Sequence, residues 1–482
     1  MNQFLDQVNI FGVLNGFNPW WSAKPFFLPD FRRIAFEACH GFLINTTLRR
    51  AILLSGPRRV GKTTVLLQMA DTLVKQKKDP KSILYLSLDH PLLKLLSLTE
   101  ILSFYHENVY PEGKPATLLL DEVQYASEWE TEIKILIDHK SEYRILATGS
   151  ASVIHQNRLA ESGVGRWITV PIPTLSFYEF VYIRNEQPIN VDAGLRVSDL
   201  FGFESGDMIV LANQMRPLLP LFQRYLFVGG FPETALQENT DLCRRLLRED
   251  VVERVLKRDM TALFGVRNIN ELEKLFIYIC IHSGGILAHK TCARALDTTT
   301  TTIANHLTLL EQANLIYRLP PSSFSGKRVL KARNKYYLVD AALRNAVLLR
   351  GEEILSDPTE MGKIVETTVL RHLYAFYYRD TPEIVYWRDS SNKKEVDIIV
   401  RSPAYVIPFE VQYKEQPSLD NSSGLGIYCK NENPKQAYLV TKRDIVFSVT
   451  KLKGIETIFL KIPAFILCYL LGQSEQMLWN QV

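Results

Sequence analysis

Cysteine is scarce and unpatterned in this 482-residue chain: there are six, at 39, 243, 280, 292, 429 and 468. No two are spaced as a zinc or redox pair would be. They read as buried thiols of a reducing compartment, which excludes a disulfide scaffold and points to a cytoplasmic protein. Long apolar runs are also missing. The longest apolar tail, 462–471, is about half of what a membrane helix needs, so no membrane partner is expected. Met1-Asn2-Gln3-Phe4-Leu5-Asp6 lacks the basic start and apolar core of a secretory signal. Charge is nearly balanced, with a net of +4, so there is no global pull toward nucleic acid. There is no short repeat or low-complexity tract. A chain of this length should hold about three domains, each with an ample core.

What is present is concentrated in residues 56 to 63, Gly56-Pro57-Arg58-Arg59-Val60-Gly61-Lys62-Thr63, followed by Thr64. This is a full G-x-x-x-x-G-K-[ST] phosphate loop. It lies between an apolar run, Ala51-Ile52-Leu53-Leu54, and a helical pattern that starts near Lys62. The glycines let several backbone N–H groups converge on phosphates, and the following helix adds its N-terminal partial charge. In such a loop Lys62 reaches the β/γ-phosphates and the Thr63 hydroxyl ligates Mg²⁺. ATP and Mg²⁺ are therefore the expected cofactors.

The remaining parts of an ATPase follow in order. The run Ala116-Thr117-Leu118-Leu119-Leu120 suits a central parallel strand and ends in Asp121-Glu122. Asp121 is placed to hold Mg²⁺ and Glu122 to polarise the attacking water, because phosphoryl transfer depends mainly on positioning and charge. A further strand, 143–148, brings Thr148 and Ser150 as alternative sensor hydroxyls. Strand 83–89 and helical patterns over 98–109 and 129–138 complete an alternating α/β arrangement, with ligand expected at the carboxyl ends of the strands. Arg166, in Gly163-Val164-Gly165-Arg166, is the candidate finger for a neighbouring subunit's γ-phosphate, and Arg158 is its competitor. Both readings require an oligomer. Gly229-Gly230-Phe231-Pro232 breaks a helical stretch sharply, with Pro232 expected near the nucleotide base.

Together with Asn18-Pro19-Trp20-Trp21 and Leu175-Ser176-Phe177-Tyr178-Glu179-Phe180, these motifs resemble a large prokaryotic family. Its members are AAA+-type ATPases fused to a winged-helix region and a C-terminal PD-(D/E)XK nuclease-like domain. The resemblance covers nearly the whole chain. It implies an α/β fold with a P-loop AAA+ core and N-terminal extension (1–185) and a helical lid (186–260). A winged helix-turn-helix (261–345) and a mixed α/β restriction-endonuclease-like domain (346–482) follow. It further implies a bacterial or archaeal, ring-forming, hexameric ATPase associated with DNA. The Asn-Pro-Trp-Trp segment is expected to seal its own core, the alternative being to dock on a neighbouring ATPase domain.

Helical patterns over 271–282, 289–296 and 301–314 precede two short strands, 315–319 and 336–339. The loop between the strands carries Lys327, Arg328, Lys331, Arg333 and Lys335. Residues 261–345 hold eleven Lys/Arg against five Asp/Glu, a net of +6 that exceeds the +4 of the whole chain. A basic wing of this kind suits phosphate contacts. Further on, Glu366 lies on a helical stretch, while Asp397 and Glu410 fall on consecutive strands where they could hold a second Mg²⁺ for phosphodiester hydrolysis. In the family pattern a lysine sits two residues after the glutamate. Here that position is Gln412, and Lys414 lies about 7 Å further along. The functional expectation is a DNA-binding motor that translocates on duplex or branched DNA, such as a Holliday junction, in repair or recombination. The alternatives are a nucleotide-dependent signalling or defence switch and an ATP-gated DNA nuclease.

Overall fold

The structure is a computed structural model. It describes all residues except 1, 77, 150–164, 186–188, 190, 267, 323–332, 390–393 and 481–482, together with the side chains of 2–7. The chain divides into two compact units. One comprises 1–172 with 312–314 and 479–482, and the other 173–311 with 315–478.

In the first unit five apolar runs form a parallel sheet. These are β1 (Ala51–Ser55), β2 (Ile83–Ser87), β3 (Ala116–Asp121), β4 (Tyr143–Gly149) and β5 (Trp167–Pro171), in the order β2-β3-β4-β1-β5. Every residue of β1 and β3 is buried, as an interior strand covered on both faces requires. Because β4 lies between β1 and β3, the strand ending in Asp121 is not the direct neighbour of the phosphate-loop strand. Helix α1 (Asn2–Phe17), α2 (Ile34–Ile44), α3 (Lys62–Lys75), α4 (Leu98–Asn108) and α5 (Trp129–His139) surround the sheet. Along α3, Val65, Leu66, Met69, Ala70 and Leu73 fall on one stripe and are buried. A reciprocal Ser97/Glu100 capping box starts α4.

Strand β2 is at an edge of this sheet, where unpaired backbone groups invite adventitious pairing. The Asn-Pro-Trp-Trp segment closes that edge. Asn18 accepts from the Tyr85 N–H at 2.7 Å and donates to the Tyr85 carbonyl at 3.0 Å. Both indoles, of Trp20 and Trp21, donate to the Ile83 carbonyl at 3.0 Å. The segment therefore packs within its own unit.

The second unit begins with helices that include Phe177–Ile183, Leu219–Val228 and Pro232–Leu236. Helices Ile269–Ile281, His289–Ala295 and Thr300–Gln312 follow, then an antiparallel ribbon of β6 (Ile316–Leu319) and β7 (Lys335–Leu338). Thr299 accepts from the Thr302 N–H at 3.1 Å and caps the third of these helices. After helix Pro358–Phe376 come β8 (Glu383–Arg388), β9 (Glu395–Arg401) and β10 (Val406–Gln412), an antiparallel meander. Helix Gly424–Glu432 leads to β11 (Gln436–Thr441), parallel to β10, and β12 (Ser448–Lys451) and β13 (Ile458–Pro463) complete a mixed six-stranded sheet. The ribbon is attached to β8: the Tyr386 N–H donates to Pro320 O at 3.0 Å, and its hydroxyl donates to Arg333 O at 2.7 Å.

Candidate nucleotide site and a second carboxylate cluster

The phosphate loop joins β1 to α3. Two backbone features explain its glycines. Gly61 has φ 96°, a left-handed conformation that side chains resist. At Gly56 a Cβ would lie 2.0 Å from the Ile172 carbonyl oxygen, because the chain beyond β5 runs against the loop. Arg33 steadies the far side by donating to the Val60 carbonyl. Lys62 is buried, and its ammonium donates to the Gly56 and Pro57 carbonyls at 3.0 and 2.7 Å. Thr64 is half-buried on the first turn of α3 and Arg59 is exposed. Arg58 donates to the Tyr125 hydroxyl at 2.7 Å.

Asp121 ends β3 as the centre of a buried hydrogen-bond network. Its carboxylate accepts from the Thr63 hydroxyl at 2.7 Å, from the Tyr85 hydroxyl at 3.1 Å and from the Thr148 hydroxyl. Thr148 in turn accepts from the Glu122 N–H at 2.9 Å. Burial and then the Glu122 charge push the Asp121 carboxyl above its usual range. The Thr148 and Thr63 hydrogen bonds and the Lys62 ammonium oppose that rise. Glu122 has φ 55°, an uncommon conformation for a glutamate, and its carboxylate accepts from the Gln124 side-chain amide. The structure thus brings Lys62, Thr63, Asp121, Glu122 and Thr148 together at the carboxyl ends of β1, β3 and β4. Tyr85 and Gln124 are additions that motif reading missed. Tyr85 belongs to a strand without a motif, and Gln124 is two residues past one.

Ser150 and Arg158 lie outside the described residues. Arg166, just before β5, donates from Nε to both Asp138 oxygens, at 2.8 and 3.0 Å. Pro232 is the first residue of helix Pro232–Leu236 in the second unit. Its motif is held there from both sides: the Leu175 N–H donates to Gly230 O, and the Gly230 N–H donates to buried Asp340 at 2.9 Å.

The C-terminal carboxylates gather around an unexpected cation. Lys335, at the start of β7, is only 2% exposed, which corrects its reading as a solvated DNA contact. Its ammonium lies 2.5 Å from Glu395, 3.5 Å from Glu366 and 3.7 Å from Asp397. Burial acts to lower its pKa, but the Glu366, Asp397 and Glu395 charges outweigh burial and hold it above the usual lysine value. Asp397 also accepts from the Val411 N–H at 2.8 Å, and Glu366 accepts from the Tyr337 hydroxyl at 2.6 Å. Glu410 Oε2 is buried without a hydrogen-bond partner. With Lys335 in place, no three acidic, histidine or cysteine side chains among the described residues are arranged to hold a metal ion. The Lys335 ammonium lies between Glu366, Glu395 and Asp397. Gln412 faces elsewhere, exchanging hydrogen bonds of 3.1 and 2.9 Å with the Ser418 backbone. Lys327, Arg328 and Lys331 lie outside the described residues, and Arg333 is exposed.

Burial, then the Glu366 charge, pushes Asp397 up to about 7 against the pull of Lys335 and the Val411 N–H. Burial and the Asp397 and Glu366 charges raise Glu410 well above the carboxylate range. An acid with a higher pKa folded than unfolded makes the native state bind more protons, so stability falls as pH rises toward the folded value. Urea midpoints of the second unit are expected to carry such a decline between about pH 4 and pH 7. In Asp397→Asn that component should be absent, and parallel curves for the two proteins would contradict it.

Residues 48–181 match the AAA domain. The AAA domain thus spans the parallel sheet apart from the preceding N-terminal segment, and continues to the helix Phe177–Ile183. Two domains of unknown function match 219–353 and 361–464. An uncharacterized protein of Haemophilus influenzae is 23% identical over 84% of this chain and 92% of its own length. One of Methanocaldococcus jannaschii is 24% identical over 75% of this chain and 74% of its own. Among solved structures, AMPPCP-bound DnaA from Aquifex aeolicus is 19% identical over 60% of this chain and 90% of its own, with a TM-score of 0.26. Residues 48–181 are thus AAA-domain-like, with an α/β core built on a parallel sheet. Among the described residues no helix is long and apolar enough to cross a membrane.

Proposed function

We propose that this chain is an ATP-hydrolysing AAA+ machine that acts on DNA as an oligomeric ring. The observation that carries the nucleotide part is the Asp121 carboxylate, held by Thr63 and Thr148 beside Glu122. Its donor set fits Mg²⁺–ATP: a lysine ammonium and convergent backbone at the loop, with a hydroxyl and a carboxylate for a hard cation. Lys62 and the 56–64 backbone hold the phosphates, while Thr63 and Asp121 hold the metal. The metal supplies charge neutralisation at the γ-phosphoryl oxygens. Glu122 orients the attacking water and accepts its proton, and Thr148 senses the nucleotide state. Arg166 acts on a neighbouring subunit once it leaves Asp138.

The DNA part is supported by the three-helix and ribbon order of 269–338 and by the net +6 over 261–345. Arg333, with Lys327, Arg328 and Lys331, supplies its contact candidates. The helix, three-strand meander, helix and parallel strand of 358–441 support a nuclease-like fold used as a scaffold. Steady-state ATP hydrolysis with Mg²⁺, alone and with single-stranded, duplex and four-way-junction DNA, tests the whole. Stimulation by one DNA form is expected. A slow rate indifferent to every form would overturn the motor.

The Gln124–Glu122 hydrogen bond favours one second reading, a slow nucleotide-dependent switch. In either case Gln124→Ala should free the base and raise basal turnover about three- to ten-fold, equivalent to about 1 kcal/mol. An unchanged or lower rate would show that Gln124 does not restrain Glu122.

A further inference from the structure

We propose that the carboxylate cluster of the second unit is a divalent-cation position that this chain keeps filled with its own Lys335 ammonium. The inference goes beyond the ATPase reading and does not depend on it. Three elements supply the acids: helix Pro358–Phe376 gives Glu366, β9 gives Glu395 and Asp397, and β10 gives Glu410. A fourth, the ribbon strand β7, supplies the cation. An ammonium within 2.5 to 3.7 Å of three carboxylates occupies the space that a hard cation with oxygen ligands would need.

Three independent observations support this. Lys335 is 2% exposed and lies 5.3 Å from the centre of the Tyr386 ring, so its charge is enclosed. The ribbon carrying it is fastened to β8 by the Tyr386 N–H and hydroxyl, and Arg401 adds a 3.0 Å bond to the Ser322 hydroxyl. Glu410 Oε2 is buried without a partner in the same cluster, an acceptor that one monovalent ammonium leaves unsatisfied. The lysine thus joins ribbon, helix and sheet, as a structural metal joins its ligands' elements. While it stays, divalent metal is excluded. Gln412, bound to Ser418, supplies no competing cation.

Mn²⁺ uptake by the nucleotide-free full chain, counted by electron paramagnetic resonance, tests the idea. Wild type is expected to take up no ion at this cluster at sub-millimolar Mn²⁺. Lys335→Ala should gain one site, and adding Asp397→Asn should remove it again. The Asp397→Asn arm separates this cluster from any weak uptake at Asp121. Wild-type uptake that disappears in Asp397→Asn would overturn the proposal, because the site would then be open to metal. A folded Lys335→Ala without uptake would overturn it too. Should Lys335→Ala fail to fold, Lys335→Met keeps the aliphatic stem without the charge. If neither variant folds, the wild-type comparison with Asp397→Asn decides.

Discussion

Glu122→Gln is expected to leave ATP bound and to cut turnover about 10²- to 10³-fold, the usual contribution of a positioned base. Glutamine preserves the shape of the side chain and its ability to orient water, but it cannot take the proton. The backbone of Glu122 is held in the left-handed region by its N–H bond to Thr148, so the substitution should not move the strand end. Lys62→Ala should instead abolish nucleotide binding, because a buried ammonium on the loop carbonyls is lost. The two variants must therefore part in a binding assay: the first retains nucleotide and the second does not. Wild-type turnover in Glu122→Gln would sink the assignment of the base.

The second large effect concerns stability. Asp340 is buried and accepts from the N–H groups of Gly230 and Ala342 at 2.9 and 3.0 Å. It ties the Gly-Gly-Phe-Pro turn to the segment after β7. Removing its carboxyl leaves two enclosed N–H groups without acceptors, at about 1–3 kcal/mol each. Burial already raises the Asp340 pKa, so part of the carboxylate's contribution offsets its own desolvation. Asp340→Ala should accordingly lower the unfolding free energy of the second unit by about 3 kcal/mol. Asp340→Asn, which retains one acceptor oxygen, should cost about half as much. Denaturant melts of the full chain, followed through the second unit, provide the measurement. A loss below about 0.5 kcal/mol in the alanine variant would show that water satisfies both groups.

Whatever depends on neighbours along the chain is legible in the residues alone. The phosphate loop, the buried runs of β1 and β3, the Asp121-Glu122 strand end and the helices of 269–312 are local patterns. Spacing and periodicity report them directly. The helix bearing Glu366 and the strands bearing Asp397 and Glu410 are also legible, to within two or three residues. Which side chains meet depends on how distant segments pack. Lys335 stands among four other basic residues in sequence, and nothing local distinguishes it from a solvated wing lysine. Its surroundings are set by β8, some fifty residues away, and by β9, some sixty away, whose Glu395 and Asp397 face it. Asn18 reaches the Tyr85 backbone across 67 residues, and Tyr85 reaches Asp121 across 36. Gln412 turns to Ser418 because an amide can both donate to the carbonyl and accept from the N–H of one residue, which the lysine expected there could not do. Strand period tells which face a residue takes but not what another element places against that face. Charge, burial and hydrogen bonding are settled by that second element, so the phosphate loop could be read from sequence and the lysine-filled cluster could not.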